Sequence, residues 1–143
     1  LAEKTSPAEI MLLDLDGDVL KGLAADLEVT GRKIESALMD AAALEKAMAK
    51  EDLIVNCTPV GMHPKTDGTP VAADLLRSGQ AVFDIVYTPL ETRLLREARE
   101  KGLATVSGVE MFIYQAVLQF EEFTGKPAPE EVMRRVVMER LEA

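Results

Sequence analysis

The sequence is poor in the residues that mark several protein classes. It has no tryptophan, four phenylalanines, two tyrosines and one cysteine. A lone Cys57 cannot form an internal disulfide, which fits a reducing compartment. No run of about 20 apolar residues is present, so we expect no membrane span. These absences predict a cytoplasmic protein whose core is built from aliphatic side chains.

Positive charge is also scarce. The chain has 16 Lys and Arg against 25 Asp and Glu, a formal net charge of −9. Binding to nucleic acid or to an anionic membrane needs clustered positive charge, so we predict neither kind of partner. The 143 residues and 48% hydrophobic content are enough for one ordinary domain.

Short apolar runs alternate with amphipathic segments along the chain. Runs that are apolar throughout predict buried parallel strands, and apolar positions repeating every 3.6 residues predict helices. The predicted strands are 10–13, 53–55, 81–86 and 104–106, and the predicted helices are 19–27, 41–49, 90–101, 109–123 and 129–141. Glycine, proline, threonine and aspartate between 61 and 70 predict a loop. The alternation predicts an α/β fold with a parallel sheet.

The glycine-rich turn of nucleotide-binding folds is missing. None of the nine glycines lies in a Gly-x-Gly-x-x-Gly or P-loop pattern. In a doubly wound sheet that turn follows the first strand, and the second strand ends in an acidic residue, as the first predicted strand here ends at Asp14. We therefore predict a Rossmann-like, doubly wound parallel sheet that is truncated at its N-terminus, lacks its first strand and Gly-rich loop, and is followed by C-terminal helices.

The acidic segment around Asp14, Asp16 and Asp18 has several interpretations. Carboxylates at alternate positions suit a hard cation, and a strand ending in Asp-x-Asp-Gly resembles the first motif of haloacid-dehalogenase-type phosphatases, with Asp14 as nucleophile and Asp16 as acid. Alternatively, Asp14 accepts hydrogen bonds from both ribose hydroxyls of a dinucleotide and repels a 2′-phosphate, which favours NAD. Asp16 or Asp18 would in the plainest interpretation only cap the following helix.

A second candidate feature is the turn that follows the strand at 53–55. Asn56, Thr58 and Pro59 are typical of a tight turn. Ligands of open α/β sheets bind beyond the carboxyl ends of strands, so this turn is expected to lie against a nucleotide. We interpret Cys57 within it as a small buried hydrophobic residue rather than a nucleophile.

A third feature combines Tyr87, just after a strand, with a nearly all-apolar helix near the C-terminus. Ser107 and Glu110 at its start predict a capping box. The apolar composition predicts a buried helix, interrupted by Gln115 and Gln119. A buried amide without a partner costs about 1–3 kcal/mol, so either an internal polar network or a polar ligand should satisfy it.

Three motifs in this order resemble the shikimate dehydrogenase family. They are Asn-Cys-Thr-Pro-Val-Gly-Met at 56–62, Asp-Ile-Val-Tyr-Thr-Pro-Leu-Glu-Thr at 84–92, and Gly108 followed by Met111, Gln115 and Phe120. The resemblance covers roughly residues 10–125. It implies an oxidoreductase that reduces 3-dehydroshikimate with NAD(P)H, or oxidises quinate, in the shikimate pathway to chorismate and the aromatic amino acids.

The resemblance also assigns roles to matching positions. Substrate would be bound by Tyr87 and Gln115, and cofactor by Thr58, Pro59, Val60, Ile85 and Gly108. NADP-using members carry Asn-Arg-Thr after the second strand, where this chain has Asp14-Leu15-Asp16, a pattern similar to NAD-using quinate/shikimate dehydrogenases. These three residues therefore predict NAD, with NADP as the alternative.

The family's catalytic Lys and Asp, its substrate-binding serines and its Gly-rich loop have no match in this chain. We therefore expect residues 1–125 to form a partial NAD(P)-binding domain and residues 126–143 a helix that packs on a missing N-terminal substrate domain. No catalytic residue or metal ligand is assigned here, and this piece alone is expected to have no turnover. A homodimer is kept open, because the last helix would expose an apolar stripe. The alternative functions are a magnesium-dependent phosphatase using Asp14 and Asp16, and a non-catalytic dinucleotide-binding module.

Overall fold

The structure is a computed structural model that describes residues 7–141. Its strands are β1 (Glu9–Asp14), β2 (Lys33–Leu38), β3 (Leu53–Asn56), β4 (Ala81–Asp84) and β5 (Ala104–Ser107). Its helices are α1 (Gly17–Glu28), α2 (Ala41–Lys50), α3 (Arg93–Glu100), α4 (Gly108–Thr124) and α5 (Glu130–Leu141). The outer ends of the two expected segments, residues 1–6 and 142–143, lie outside the described residues. None of the described helices is both long and apolar enough to cross a membrane.

The chain divides into two compact units, the first ending at Glu51 and the second beginning at Asp52. The first contains a parallel pair, β1 and β2. The second contains a parallel sheet in the order β3-β4-β5. All strand pairs described are parallel and are joined through helices or long connections, so the predicted α/β class is confirmed.

Strand β2 was not predicted from the sequence. Its charged residues Lys33 and Glu35 interrupt the continuous apolar run by which the other strands were predicted, and the strand is exposed at several positions. The structure shows what holds them: Lys33 Nζ lies 2.7 Å from Glu35 Oε1 and 3.1 Å from Glu9 Oε1. Lys50 at the end of α2 also pairs with Glu9. The charged side chains of this edge strand are therefore paired at the surface rather than buried.

Helix α1 begins as its cap predicts. Asp16 Oδ1 accepts hydrogen bonds from the backbone N–H of Asp18 at 2.8 Å and of Val19 at 3.2 Å. Leu20 is the buried residue of the helix, whereas Val19 and Leu23 of the predicted apolar stripe are exposed. The first unit therefore buries fewer side chains than the pattern suggested.

The second unit holds most of the buried core. Helix α3 begins at Arg93, later than predicted, because Thr92 accepts a hydrogen bond from Leu95 N–H and caps it. The buried apolar side chains of this unit are Val71, Leu76, Val82, Val86, Leu94, Leu95, Ala98, Leu103, Val109 and Ile113. They belong mainly to β4, α3 and the first turns of α4.

Two expectations for helix α4 are wrong. Its apolar composition predicted a buried helix, but Tyr114 and Leu118 are exposed, the latter at 66%. Gln115 and Gln119 are exposed as well, so neither is a buried amide that needs an internal partner. The described chain packs only one face of this helix, and composition alone does not say which faces find a neighbour.

The predicted capping box at the start of α4 is also wrong. Ser107 makes no capping hydrogen bond with its side chain. Glu110 instead accepts two hydrogen bonds from the Arg134 guanidinium of α5, at 2.6 and 3.0 Å. A bidentate ion pair is stronger than a neutral hydrogen bond to the backbone, so the acidic side chain turns towards α5.

Candidate functional site

The site is built where strands β3 and β4 end side by side. Their last residues, Asn56 and Asp84, are aligned in register and buried. The chain after each strand forms one wall of a cleft of about 360 Å³. We call it the strand-end cleft; its lining residues are Cys57, Thr58, Pro59, Met62, Ile85, Val86, Tyr87 and Thr88.

The first wall is a turn held by the Asn56 side chain. Asn56 Oδ1 accepts hydrogen bonds from Thr58 N–H at 3.0 Å and from Thr58 Oγ1 at 2.7 Å. Thr58 Oγ1 in turn accepts from Val60 N–H at 3.2 Å. Gly61 has a left-handed φ of 87°, and a Cβ there would lie 3.1 Å from Gly68 O. The turn is therefore specified by a polar strand end and by a glycine.

The second wall is the segment after β4. Asp84 Oδ1 accepts a hydrogen bond from Val86 N–H at 3.0 Å, and Ile85 N–H donates to Asn56 O at 3.1 Å. The two walls are joined again further out, where His63 N–H donates to Thr88 O at 2.9 Å. Backbone and side-chain bonds together fix the width of the cleft.

The Asp84 carboxylate links both walls and helix α3. It is fully buried and accepts hydrogen bonds from Asn56 Nδ2 at 2.9 Å, Val86 N–H at 3.0 Å and Thr92 Oγ1 at 2.7 Å. All three partners donate, so the carboxylate oxygens act only as acceptors in these bonds. Sequence reasoning missed this role, because a single acidic residue within an apolar run does not indicate a buried hydrogen-bond network.

Helix α4 approaches the cleft through Gly108. A Cβ at this position would lie 2.3 Å from Ile85 O and 2.6 Å from Val86 O. No side chain fits so close to a backbone oxygen, so this glycine lets the helix start directly against the second wall. Two positions that the resemblance assigned to the cofactor, Ile85 and Gly108, are therefore in contact.

Tyr87 is oriented by an aromatic partner. Its ring stacks on Phe112 of α4, with centroids 5.3 Å apart and planes inclined by 24°. The phenol has no hydrogen-bond partner within residues 7–141, and the side chain is exposed. Sequence reasoning missed Phe112, although its place one turn after Gly108 was a usable signal.

Other candidate positions lie outside the strand-end cleft. Gln115 is exposed on α4 and does not line it. Val60 lines a neighbouring depression together with Gly61 and Lys65. The structure therefore brings together Thr58, Pro59, Ile85 and Tyr87, but not Gln115.

Cys57 is exposed, so the prediction of a buried hydrophobic residue is wrong. It follows a strand that ends one residue earlier, and its side chain faces the cleft rather than the core. Partial burial of the thiol and the negative charge of Asp84 raise the pKa of Cys57 above its ordinary value. A raised pKa makes the thiolate scarcer, which argues against a nucleophile.

In the first unit, Asp14 ends β1 with a half-buried side chain. Its Oδ1 accepts from Asp16 N–H at 2.9 Å, and Leu15 beside it is 82% exposed. Asp16 caps α1 and Asp18 pairs with Lys21 at 3.4 Å. Within residues 7–141, no three His, Cys, Asp or Glu side chains converge as metal ligands, and the phosphatase alternative finds no support.

The chain has close relatives among characterised protein families. Residues 108–138 match the family described as "Shikimate 5'-dehydrogenase C-terminal domain". A protein named shikimate dehydrogenase (NADP(+)) from Methanosarcina mazei is 41% identical over 95% of this chain and 49% of its own length. The chain thus spans about half the length of the curated relatives it matches.

Solved structures give the same assignment. Quinate dehydrogenase from Corynebacterium glutamicum, in complex with NAD, superposes with a TM-score of 0.83 and 35% identity over 94% of this chain and 47% of that one. Shikimate 5-dehydrogenase from Listeria monocytogenes, in complex with shikimate and NAD, superposes with a TM-score of 0.75 and 30% identity, covering 90% of this chain and 47% of that one. These likenesses confirm the Rossmann-like fold. The chain thus matches the C-terminal part of the shikimate dehydrogenase family.

Proposed function

We propose that this protein transfers hydride between a nicotinamide cofactor and a cyclohexane carboxylate of the shikimate type. The reaction is the reduction of 3-dehydroshikimate to shikimate, or the oxidation of quinate, in the pathway to aromatic amino acids. One observation carries the proposal: Thr58, Pro59, Ile85 and Tyr87, which the resemblance assigned to cofactor and substrate, line a single cleft.

The strand-end cleft suits the nicotinamide end of a dinucleotide. It opens at the carboxyl ends of two parallel strands, the usual ligand position in this fold class. Pro59, Met62, Ile85 and Val86 make much of its lining apolar, which favours a flat ring and limits water. Hydride transfer is the chemistry that nicotinamide supplies when bound; the chain's part is to position the ring and exclude water.

Tyr87 is proposed to bind the substrate. Its exposed hydroxyl can donate to a substrate oxygen, and the stack on Phe112 reduces the number of ring orientations. A side chain held in place before binding loses less conformational entropy when the ligand arrives. Gln115 is exposed and does not line the cleft. Its role in substrate binding, which the resemblance implies, therefore stays a prediction.

Asp14 is proposed to select NAD over NADP. A carboxylate at the end of β1 can accept hydrogen bonds from ribose hydroxyls, and it repels a 2′-phosphate. Within the described residues, only Asp16 N–H donates to this carboxylate, so acceptor capacity remains for a ligand. The Methanosarcina mazei relative is named for NADP(+), and the Corynebacterium glutamicum quinate dehydrogenase was solved with NAD. The names of these two proteins mention different cofactors, and Asp14 is the residue that we propose decides between the two in this chain.

The complete enzyme is proposed to include the substrate-binding part and the catalytic Lys and Asp that the resemblance places before this segment. In the described structure, β1 pairs only with β2, and β3 pairs only with β4. Each of these strands therefore keeps one edge open to a further strand, which is compatible with the expected first strand of the fold. Cytoplasmic location and a homodimer stay predictions.

The test is a kinetic comparison of NAD and NADP with shikimate and quinate as substrates, using the complete protein including any residues before Leu1. We expect turnover with NAD, and kcat/KM for NAD above that for NADP. Leu15→Arg should move the ratio of the two kcat/KM values towards NADP by about tenfold, because an added attraction to the 2′-phosphate of ~1.4 kcal/mol is a tenfold change. Asp14→Asn should move the ratio in the same direction, because it removes a repulsion.

A matched control is Val29→Arg, which adds the same charge at another exposed position of the chain, just after α1. It should leave the NAD to NADP ratio unchanged. Absence of dehydrogenase activity with all four pairs would contradict the proposed function. Activity with an unchanged ratio in both Asp14 and Leu15 variants would contradict only the ribose role of Asp14.

A further inference from the structure

The buried carboxylate of Asp84 has no cationic partner within residues 7–141. Its three hydrogen bonds come from neutral donors: Asn56 Nδ2, Val86 N–H and Thr92 Oγ1. Thr92 also caps α3, so the N-terminal end of that helix contributes partial positive charge nearby. The negative charge is solvated by dipoles rather than neutralised by an ion pair.

This charge lies directly behind the strand-end cleft. Val86, which donates to Asp84, lines the second wall. Asn56 Nδ2 also donates to Asp84. Asn56 Oδ1 in turn accepts a hydrogen bond from Thr58 Oγ1 of the first wall at 2.7 Å. One carboxylate is therefore bonded directly to the second wall through Val86 and to the first wall through Asn56.

The negative charge of Asp84 affects a titratable group that lines the cleft. Cys57 lines the cleft, and partial burial together with the charge of Asp84 raises the pKa of its thiol. Burial disfavours a charge of either sign, whereas the negative charge of Asp84 disfavours a thiolate and favours a cation at the same place. The oxidised nicotinamide ring is positively charged and the reduced ring is neutral. A negative charge near the cleft therefore attracts the oxidised ring but not the reduced one.

We propose that Asp84 is a positioning residue of the cofactor site whose buried negative charge makes the cleft bind oxidised nicotinamide in preference to the reduced form. The inference rests on the proposed function, since it needs the nicotinamide in the strand-end cleft. It goes further because it assigns a role in the redox balance of the bound cofactor to a residue that does not line the cleft.

The test measures the dissociation constants of the oxidised and reduced cofactor by titration calorimetry, in the complete protein and its Asp84→Asn variant. The cofactor pair is the one, NAD or NADP, that the unaltered protein binds more tightly. Asp84→Asn should weaken binding of the oxidised form by about tenfold more than binding of the reduced form, because an unpaired buried charge acts over several ångströms at low dielectric.

Thr92→Val is the matched control. It removes one hydrogen bond from Asp84 but keeps the charge, so it should change both dissociation constants by the same factor. A purely structural role of Asp84 predicts the same equal loss for Asp84→Asn, and that result would overturn the inference while leaving the proposed function intact.

A measurement without any variant covers the case in which Asp84→Asn does not fold. The unaltered protein should bind the oxidised cofactor at least as tightly as the reduced one. Reduced cofactor bound about tenfold more tightly would overturn the inference. Failure of the unaltered protein to bind either form would overturn the proposed function and the inference together.

Discussion

The two units of this protein are each stabilised by different kinds of interaction. The first buries Leu20, Ala47 and Met48 and relies on an exposed ion-pair network around Glu9. The second buries many more aliphatic side chains and a polar cluster centred on Asp84. Surface ion pairs contribute little and respond to salt, whereas buried packing and satisfied buried hydrogen bonds are costly to disturb. The second unit thus has the larger buried core, and it carries the strand-end cleft.

The largest expected effect that tests this difference between the units is the truncation of one core side chain. Leu94 on α3 is 1% exposed, whereas Leu23 on α1 is 44% exposed. We expect Leu94→Ala to lower the free energy of unfolding by about 3 kcal/mol, because it leaves a cavity in a packed core. Leu23→Ala should cost less than ~1 kcal/mol. Chemical denaturation of the two variants measures both values, and equal losses would contradict the assignment of the core.

Alanine substitutions at two glycines, one in each unit, are expected to change the stability in opposite directions. Gly108→Ala places a Cβ 2.3 Å from Ile85 O and should destabilise the protein by about 1–3 kcal/mol, the usual cost of overpacking. Gly22 lies within α1, and a Cβ there meets no atom within 4 Å. Gly22→Ala should therefore stabilise the protein by about 0.5–1 kcal/mol, through better helix propensity. Thermal unfolding of the two variants decides the matter; a neutral Gly108→Ala would show that α4 is not pressed against Ile85.

The smallest expected effect is the pH dependence of the first unit. Hydrogen bonds from Lys50 and Lys33 lower the pKa of Glu9 from 4.5 to about 2. Because the folded-state pKa lies below the unfolded value, the stabilisation is fully present above pH 4.5 and is lost as the pH falls towards 2. The difference in stability between the unaltered protein and Glu9→Gln should thus shrink over this range. A difference that stays constant from pH 6 to about pH 2 would contradict the ion-pair account.

Parts of the fold that depend on local pattern could be predicted from the sequence. Strands β1, β3, β4 and β5 are short apolar runs, and each was found within a few residues of its observed bounds. Strand β2 was missed, because Lys33 and Glu35 are stabilised by partners from β1 and α2 that are distant in sequence. A continuous apolar run indicates a buried strand, so a strand with charged side chains at alternate positions gives no such signal.

The candidate site was predictable only in part for the same reason. The turn at Thr58 and the loop at Tyr87 follow strand ends and carry distinctive residues, so the sequence places them at one edge of a sheet. The roles of Asp84 and Phe112 depend on contacts across the sheet and with α4, which no local pattern reveals. Exposure of Cys57 and Gln115 depends on which faces find a neighbour, and the apolar composition around them suggested the opposite.

The most direct test of the account asks whether the nicotinamide ring enters the strand-end cleft. Cys57 is exposed in that cleft, so its alkylation by iodoacetamide, followed by mass spectrometry in the complete protein, reports access to it. We expect NAD at ~100 times its dissociation constant to slow the alkylation of Cys57 by more than about tenfold. ADP-ribose, which lacks the nicotinamide, should protect far less. Alkylation of Cys57 at the same rate with and without saturating cofactor would contradict the account.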